Sequence, residues 1–412
     1  MQNDVTPTFL SANDKRIVIR KTGEVSGVYD HAPASWIAAA PCRFHLTLPR
    51  LLSMFHCRHA LALSSFSVFL SLAAFAQSTS LHWLQLPSLP DPIGFAAPFA
   101  GTSGGALIVA GGANFPGAMP WDGGQKVWYD SIFVLSKPQG HWLTGFELPH
   151  EIAYGVSVST PEGVLCAGGS DAHQHFRDVF LLSWRNGKIE TRNFPPLPRP
   201  MADGCGGLVG TTFYVAGGTE KPDATNALQT FWSIDITARH PTWVELQPWP
   251  GPPRMLAVAA ATVTPTFLSA SDGAFFLFSG VELSADSTGK PARRYLKDAY
   301  RFTPREGWKR ISDLPRAAVA APSPAIRCNG QLLIVSGDDG TKVNFEPKSK
   351  HPGFPKDVLA YDLSNDRWTR IADSPLSRAT APVVEWNGMA VIPNGEPKPG
   401  YRTPEVCALK LR

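Results

Sequence analysis

The chain has 412 residues, 43% hydrophobic and 17% charged, with 36 Gly and 38 Pro but no collagen period and no long low-complexity tract. That composition excludes wholesale disorder and coiled coil, and leaves a globular, turn-rich chain with ample material for a core. The formal charge of +4 would suit an anionic partner such as nucleic acid, but residues 1–76 hold seven of the 38 Lys and Arg and four of the 34 Asp and Glu, so the remainder is 31 basic and 30 acidic, a net of +1. No nucleic-acid partner is expected.

In chain order, Met54 to Ala76 (MFHCRHALALSSFSVFLSLAAFA) comes first. Arg58 and His59 precede an apolar run that ends in Ala74-Phe75-Ala76, a small-x-small cleavage site. The run is short for a membrane span and no stop-transfer charges follow, so residues 54–76 are predicted to be a signal peptide rather than an anchor. The protein is then exported, periplasmic or secreted, and residues 1–53 form an upstream extension with no predicted structure. The octapeptide VTPTFLSA occurs twice, at Val5–Ala12 and Val263–Ala270.

From residue 81 onward the chain repeats. Apolar runs ending in a small residue and Gly recur as LIVAGG (Gly112), VLCAGG (Gly169), FYVAGG (Gly218), FFLFSG (Gly280), LLIVSG (Gly337) and AVIPNG (Gly395), at spacings of 57, 49, 62, 57 and 58. Independently, Trp83, Trp142, Trp243, Trp308 and Trp368 stand seven residues before Pro90, Pro149, Pro250, Pro315 and Pro375; the sixth such proline, Pro198, has Thr191 in the Trp position. Turn signals such as Pro161-Glu162-Gly163, Asn329-Gly330 and Asn387-Gly388 separate the first two strands of a unit. Third strands are predicted at 131–135, 178–182, 231–236, 298–302, 357–363 and 405–411. Four antiparallel strands per unit with a Gly pair and a spaced Trp resemble kelch repeats. The fold expected is all-β, a six-bladed kelch-type β-propeller over residues 77–412, with Leu81–Leu86 supplying the missing fourth strand of the last blade.

Antiparallel alternation puts the loops after the Gly pairs and the Pro-rich exits on one face. That face collects Asn114, Asp171, Glu220, Glu282, Asp338, Asp339 and Glu396 from the loops, and Tyr154, Arg199, Arg254, Arg316 and Arg378 from the exits. Four arginines from four blades suit an anionic ligand, since a guanidinium fork matches a carboxylate. The alternative is that each Arg tethers an Asp or a carbonyl of a neighbouring blade.

The loop Asn394-Gly395-Glu396-Pro397-Lys398-Pro399-Gly400-Tyr401-Arg402-Thr403 is a stiff excursion that begins with a carboxylate and ends with a guanidinium. Here the sequence resembles the bacterial N-acetylneuraminate epimerase (sialic acid mutarotase) family of six-bladed kelch propellers, and the stretches Ala153–Ser157 and Gly111–Ala113 resemble family segments too. The resemblance implies Glu396 as base, Arg402 as the partner of a sugar carboxylate, and a sugar acid as substrate, with no cofactor and no metal. Asn114, Tyr154, Arg199, Arg254, Arg316 and Arg378 are the expected substrate-binding residues. The Glu-bearing blade comes last, which resembles a cyclically permuted mutarotase subgroup. The loops Asn114–Val127 and Ser170–Arg177 do not look like those of the epimerases, which leaves the substrate open.

Other signals are weaker. Gly101-Thr102-Ser103-Gly104-Gly105 has the nucleophile-elbow pattern but leads into a strand instead of a helix. His173 and His175 lack further ligands at metal spacing, and the cysteines do not form the constellation of a copper oxidase. Cys166, Cys205, Cys328 and Cys407 allow three pairings, among which spacing does not choose. The competing function is a non-catalytic propeller that binds glycans or a protein through the same mouth. Another carbohydrate-active enzyme, a lyase or an oxidase, is a weaker third.

Overall fold

The structure, a computed structural model, describes residues 81–262 and 273–411. The expected signal peptide, the extension before it and both copies of the octapeptide lie outside the described residues. Six four-stranded antiparallel sheets form the blades of a propeller. The innermost strands are Phe99–Ser103, Val156–Thr160, Cys205–Val209, Val258–Thr262, Ile326–Cys328 and Val384–Trp386. Several are small-residue runs, such as CGGLV and VAAAT, because neighbouring inner strands crowd together near the axis. A Cβ on Gly206 would stand 2.7 Å from a methyl of Val156 in the preceding blade.

The second strands, such as Ala106–Ala110 and Gly163–Ala167, are buried along their whole length. Each is covered on both faces by adjacent blades, which is why they read as unbroken apolar runs and do not alternate. The third strands fall where the sequence places them, for example Ser131–Leu135, Asp357–Asp362 and Val406–Lys410. The last blade is completed by Trp83–Leu86, with Trp83 opposite Leu409 and Leu86 opposite Val406. Its seam with the first blade is apolar, packing Leu107, Val109 and Leu135 against Val384, Val391 and Val406. The four cysteines among the described residues are free, and burial pushes the Cys166 and Cys205 thiols up, the latter to about 12.

The spaced tryptophans join blades. The indole N–H groups of Trp142, Trp243, Trp308 and Trp368 donate to the carbonyls of Pro87, Pro195, Gln247 and Ser312, at 2.8–3.0 Å. Each acceptor lies three residues before the exit proline of the preceding blade, so the Trp–Pro register serves two blades at once. A bond of this kind contributes about 1 kcal/mol net.

Three of the exit arginines also join blades, and this corrects the expectation that they converge on a ligand. Arg254 is 0% exposed and its guanidinium forks onto Asp298 at 3.0 and 2.8 Å, with a further bond to the Ser279 carbonyl. Arg316 grips Asp357 and the Ser336 carbonyl, and Arg378, buried, reaches Glu405 at 3.1 Å. In each case the acid sits at the start of the third strand of the next blade. Burial opposes the charge on Asp298, but the hydrogen bonds and charge of Arg254, with help from the Tyr300 hydroxyl, outweigh it and hold the carboxyl below the usual range.

Innermost of all is a ring of backbone hydrogen bonds. Tyr154 donates to the carbonyl of Ala97, Asp203 to Tyr154, Leu256 to Asp203, Ala320 to Leu256, Thr380 to Ala320 and Ala97 to Thr380, at 2.7–3.0 Å. All six residues have positive φ, from 47° to 64°.

Removing one partner of a buried pair strands the other charge, at about 3–5 kcal/mol. Asp298→Ala is therefore expected to lower the urea midpoint sharply at pH 7. Because the folded carboxyl titrates low, its contribution is whole above the unfolded value of about 4 and fades as pH falls through the folded one, so the gap from wild type should narrow in acid. Urea denaturation at pH 7 and pH 3 checks both.

Candidate functional site

Each exit is bridged to the loop after the Gly pair, through Ala96 and Ala113, Ala153 and Ser170, Ala202 and Thr219, Met255 and Val281, Val319 and Asp338, Ala379 and Glu396. The exits and these loops thus share the expected face. Of the six equivalent loop positions two carry carboxylates, Asp338 and Glu396, in adjacent blades.

The loop at Glu396 is set by the two residues before it. Asn394 (φ 59°) and Gly395 (φ 97°) both adopt the left-handed conformation. The Asn394 side-chain oxygen accepts from the Phe95 N–H at 3.0 Å, while a Cβ on Gly395 would lie 2.7 Å from the Ala379 carbonyl. Glu396 then exchanges both backbone hydrogen bonds with Ala379. The chain turns back so that Arg402 Nη1 lies 3.0 Å from Glu396 Oε1, with side-chain exposures of 3% and 16%. The contact is a charge pair and not an aligned hydrogen bond, since Nη1 has no hydrogen-bond partner among the described residues. Arg402 Nε donates to the Ala113 carbonyl at 3.3 Å and the guanidinium covers the Phe115 ring, which ties the last blade to the first.

The excursion Asn114–Val127 of the first blade seats on this loop. Trp121 meets Tyr401 with ring centroids 5.7 Å apart, and Gly400 (φ 83°) leaves room for the indole, whose carbon would lie 2.8 Å from a Cβ there. Lys398 lies over the Tyr401 ring at 4.0 Å.

At the axis, a cavity of about 90 Å³ is lined by the ring residues, Tyr154, Asp203 and Thr380 among them. Tyr154 alone of the sequence-derived candidates lines it, with Lys126 Nζ 4.8 Å above its ring. Asn114 is buried instead, donating to the Gly94 carbonyl and accepting from the Tyr129 hydroxyl. Arg199 remains half-exposed, 3.6 Å from Glu220. Arg254, Arg316 and Arg378 are committed to their blade pairs as described above.

The sequence reading passed over Asp203. Burial in the channel raises its carboxyl above the ordinary range, and the charges of His175, Lys126 and Arg293, from three different blades, pull it partly back. His175 is held by the Thr219 carbonyl, 3.0 Å from Nδ1. Asp338 is engaged otherwise, accepting from the Tyr295 hydroxyl at 2.8 Å and the Gly340 N–H at 2.9 Å; burial and then Asp338 push the Tyr295 phenol well up. Aligning the six exits on the ring would have exposed Asp203, the one acid at a position otherwise Ala, Tyr, Leu or Thr.

Fold and rim together define a closed six-bladed propeller with a carboxylate–guanidinium pair beside its axial mouth. A family model described as N-acetylneuraminate epimerase matches residues 71–191. Curated N-acetylneuraminate epimerases are similar: that of Brucella suis is 34% identical over 128 residues, 27% of this chain and 32% of the relative, and that of Vibrio cholerae 35% over 124 residues, 26% and 32%. That of Haemophilus influenzae is 26% identical over 238 residues, 52% of this chain and 58% of the relative. The match thus spans about a third to just over half of these relatives' length. The solved structure of YjhT superposes with a TM-score of 0.58 at 14% identity, over 79% of this chain and 97% of that one, which shows the shared fold.

The raised Asp203 carboxyl carries a stability sign opposite to Asp298. Its contribution is whole below the unfolded value of about 4 and is lost as pH rises through the raised folded value. Asp203→Asn is expected to melt at a higher temperature than wild type at pH 8, with the advantage vanishing toward pH 4. Thermal scans at the two pH values read this directly.

Proposed function

We propose that the protein is a mutarotase that interconverts the anomers of a 2-keto sugar acid, with N-acetylneuraminate the first candidate. The observation that carries this reading is the Glu396–Arg402 pair, 3.0 Å apart on a stiff loop of the mouth face. The similarity to curated N-acetylneuraminate epimerases supports the substrate class. A cyclic permutation of the blades is part of the proposal. Colinear similarity to the family model stops at residue 191, while the Asn-Gly-Glu run lies in the last blade. Export through residues 54–76 would place the site among sugar acids outside the cytoplasm.

Anomer exchange opens the ring and closes it on the other face of the carbonyl. The Glu396 carboxylate takes the proton of the anomeric hydroxyl, and Arg402 holds Glu396 in place and offers its guanidinium to the sugar's carboxylate. Tyr154 adds a hydroxyl on the channel side, and Lys126 lends positive charge above it. Ring closure returns the proton to the new anomeric oxygen.

General acid–base groups contribute about 10²–10⁴-fold, so Glu396→Gln is expected to slow anomer exchange at least about 100-fold while the protein stays folded. An NMR time course on freshly released sialic acid, with neutral sugars as controls, measures it. Equal rates in variant and wild type would remove Glu396 from the mechanism, and binding without acceleration would leave a glycan-binding propeller.

A further inference from the structure

We infer that Asp203 is the second acid–base group of this reaction, the carboxyl that protonates the ring oxygen as the sugar opens, working across the channel from Glu396. The inference rests on the mutarotase reading and supplies the proton donor that the reading lacks.

Position is the first argument. Around the hydrogen-bonded ring the order is Ala97, Tyr154, Asp203, Leu256, Ala320, Thr380. Asp203 is three steps from Thr380 in either direction and therefore opposite it. Thr380 follows Ala379, the residue bridged to Glu396. A sugar seated over the axis would meet Asp203 on one side of the ring and the loop that carries Glu396 on the other.

The second argument is that the fold has no use for this carboxylate. Ring bonds are made by backbone N–H and C=O, and the other five ring residues make them with uncharged side chains. Asp298, Asp338 and Asp357 each have hydrogen-bonded partners, whereas the Asp203 carboxylate accepts no hydrogen bond from any described residue. It lines the axial cavity, where an unpaired carboxylate costs stability. Burial there favours the protonated form, which is the form a proton donor needs. The groups that act on it through space are His175, Lys126 and Arg293, none of which is bonded to it.

The step balances without any redox partner. Glu396 takes the proton from the anomeric hydroxyl, whose O–H electrons form the carbonyl. The bond from the anomeric carbon to the ring oxygen breaks, and that oxygen takes its proton from Asp203. Closure on the opposite face reverses both transfers, returning Asp203 to its acid form.

The test compares wild type, Asp203→Asn and Glu396→Gln by NMR exchange rate, by saturation-transfer binding of N-acetylneuraminate and by melting temperature. Asn tolerates the left-handed conformation of this position and keeps the ring bonds. D203N should bind the sugar acid within about threefold of wild type, exchange it at least about 100-fold more slowly, and lose the alkaline fall in rate that wild type shows when its acid ionises. If D203N exchanges at the wild-type rate while E396Q does not, the assignment of Asp203 falls and that of Glu396 stands. Loss of binding together with exchange would make Asp203 a ligand-holding residue, and a lowered melting temperature at pH 8 would make it structural; each overturns the proposal. Failure of wild type to accelerate exchange of any sugar acid would overturn both readings.

Discussion

The ring of six backbone hydrogen bonds at the axis is the constraint on which the rest of this molecule depends. Each bond takes its donor from one blade and its acceptor from the previous one, and the sixth joins Ala97 to Thr380, first blade to last. The geometry demands a left-handed residue at every step, yet none of the six is Gly. That conformation costs an L-residue about 1–2 kcal/mol, so blade packing must hold each in place. The reward is positional. The ring fixes one side chain per blade at the channel, and the bridges beside it fix a second layer, which includes Glu396 and Asp338.

Charge on this scaffold is divided between two tasks. The pairs of Arg254 with Asp298 and Arg316 with Asp357 lie between blades, where burial makes a lost partner costly. Near the axis, Lys126 and Arg293 instead act on the Asp203 carboxyl through space, without bonding to it. The pair of Arg402 and Glu396 combines both tasks. Its guanidinium anchors the last blade to the Ala113 carbonyl of the first, and its partner is the candidate base.

Much of the fold was legible in the sequence, because apolar runs ending in Gly recur six times and the Trp–Pro spacing five times, all of them local signals. Even closure by Leu81–Leu86 could be read by counting strands. The arginines were harder. Arg254 and Asp298 are 44 residues apart, and nothing in either segment says that the side chain turns between blades instead of toward the mouth. Asn114 misled for a similar reason: it follows a Gly pair, but its amide is spent on Gly94 and Tyr129. Asp203 went unnoticed because its importance lies in what surrounds it, basic side chains from blades distant in sequence, and no local pattern announces that.

The last blade is woven from both ends of the propeller, Trp83–Leu86 beside Val406–Lys410. During synthesis the first of these strands emerges more than 300 residues before its partner and must wait as an unpaired edge. A nascent chain therefore cannot close its ring early. The Glu396–Arg402 loop is in the same late segment, and Arg402 leans on the first blade, so the final closure and the assembly of the rim are one event. A chain stopped short of that strand would hold five complete blades and a sixth with no place for Trp83–Leu86, and its seam would stay open.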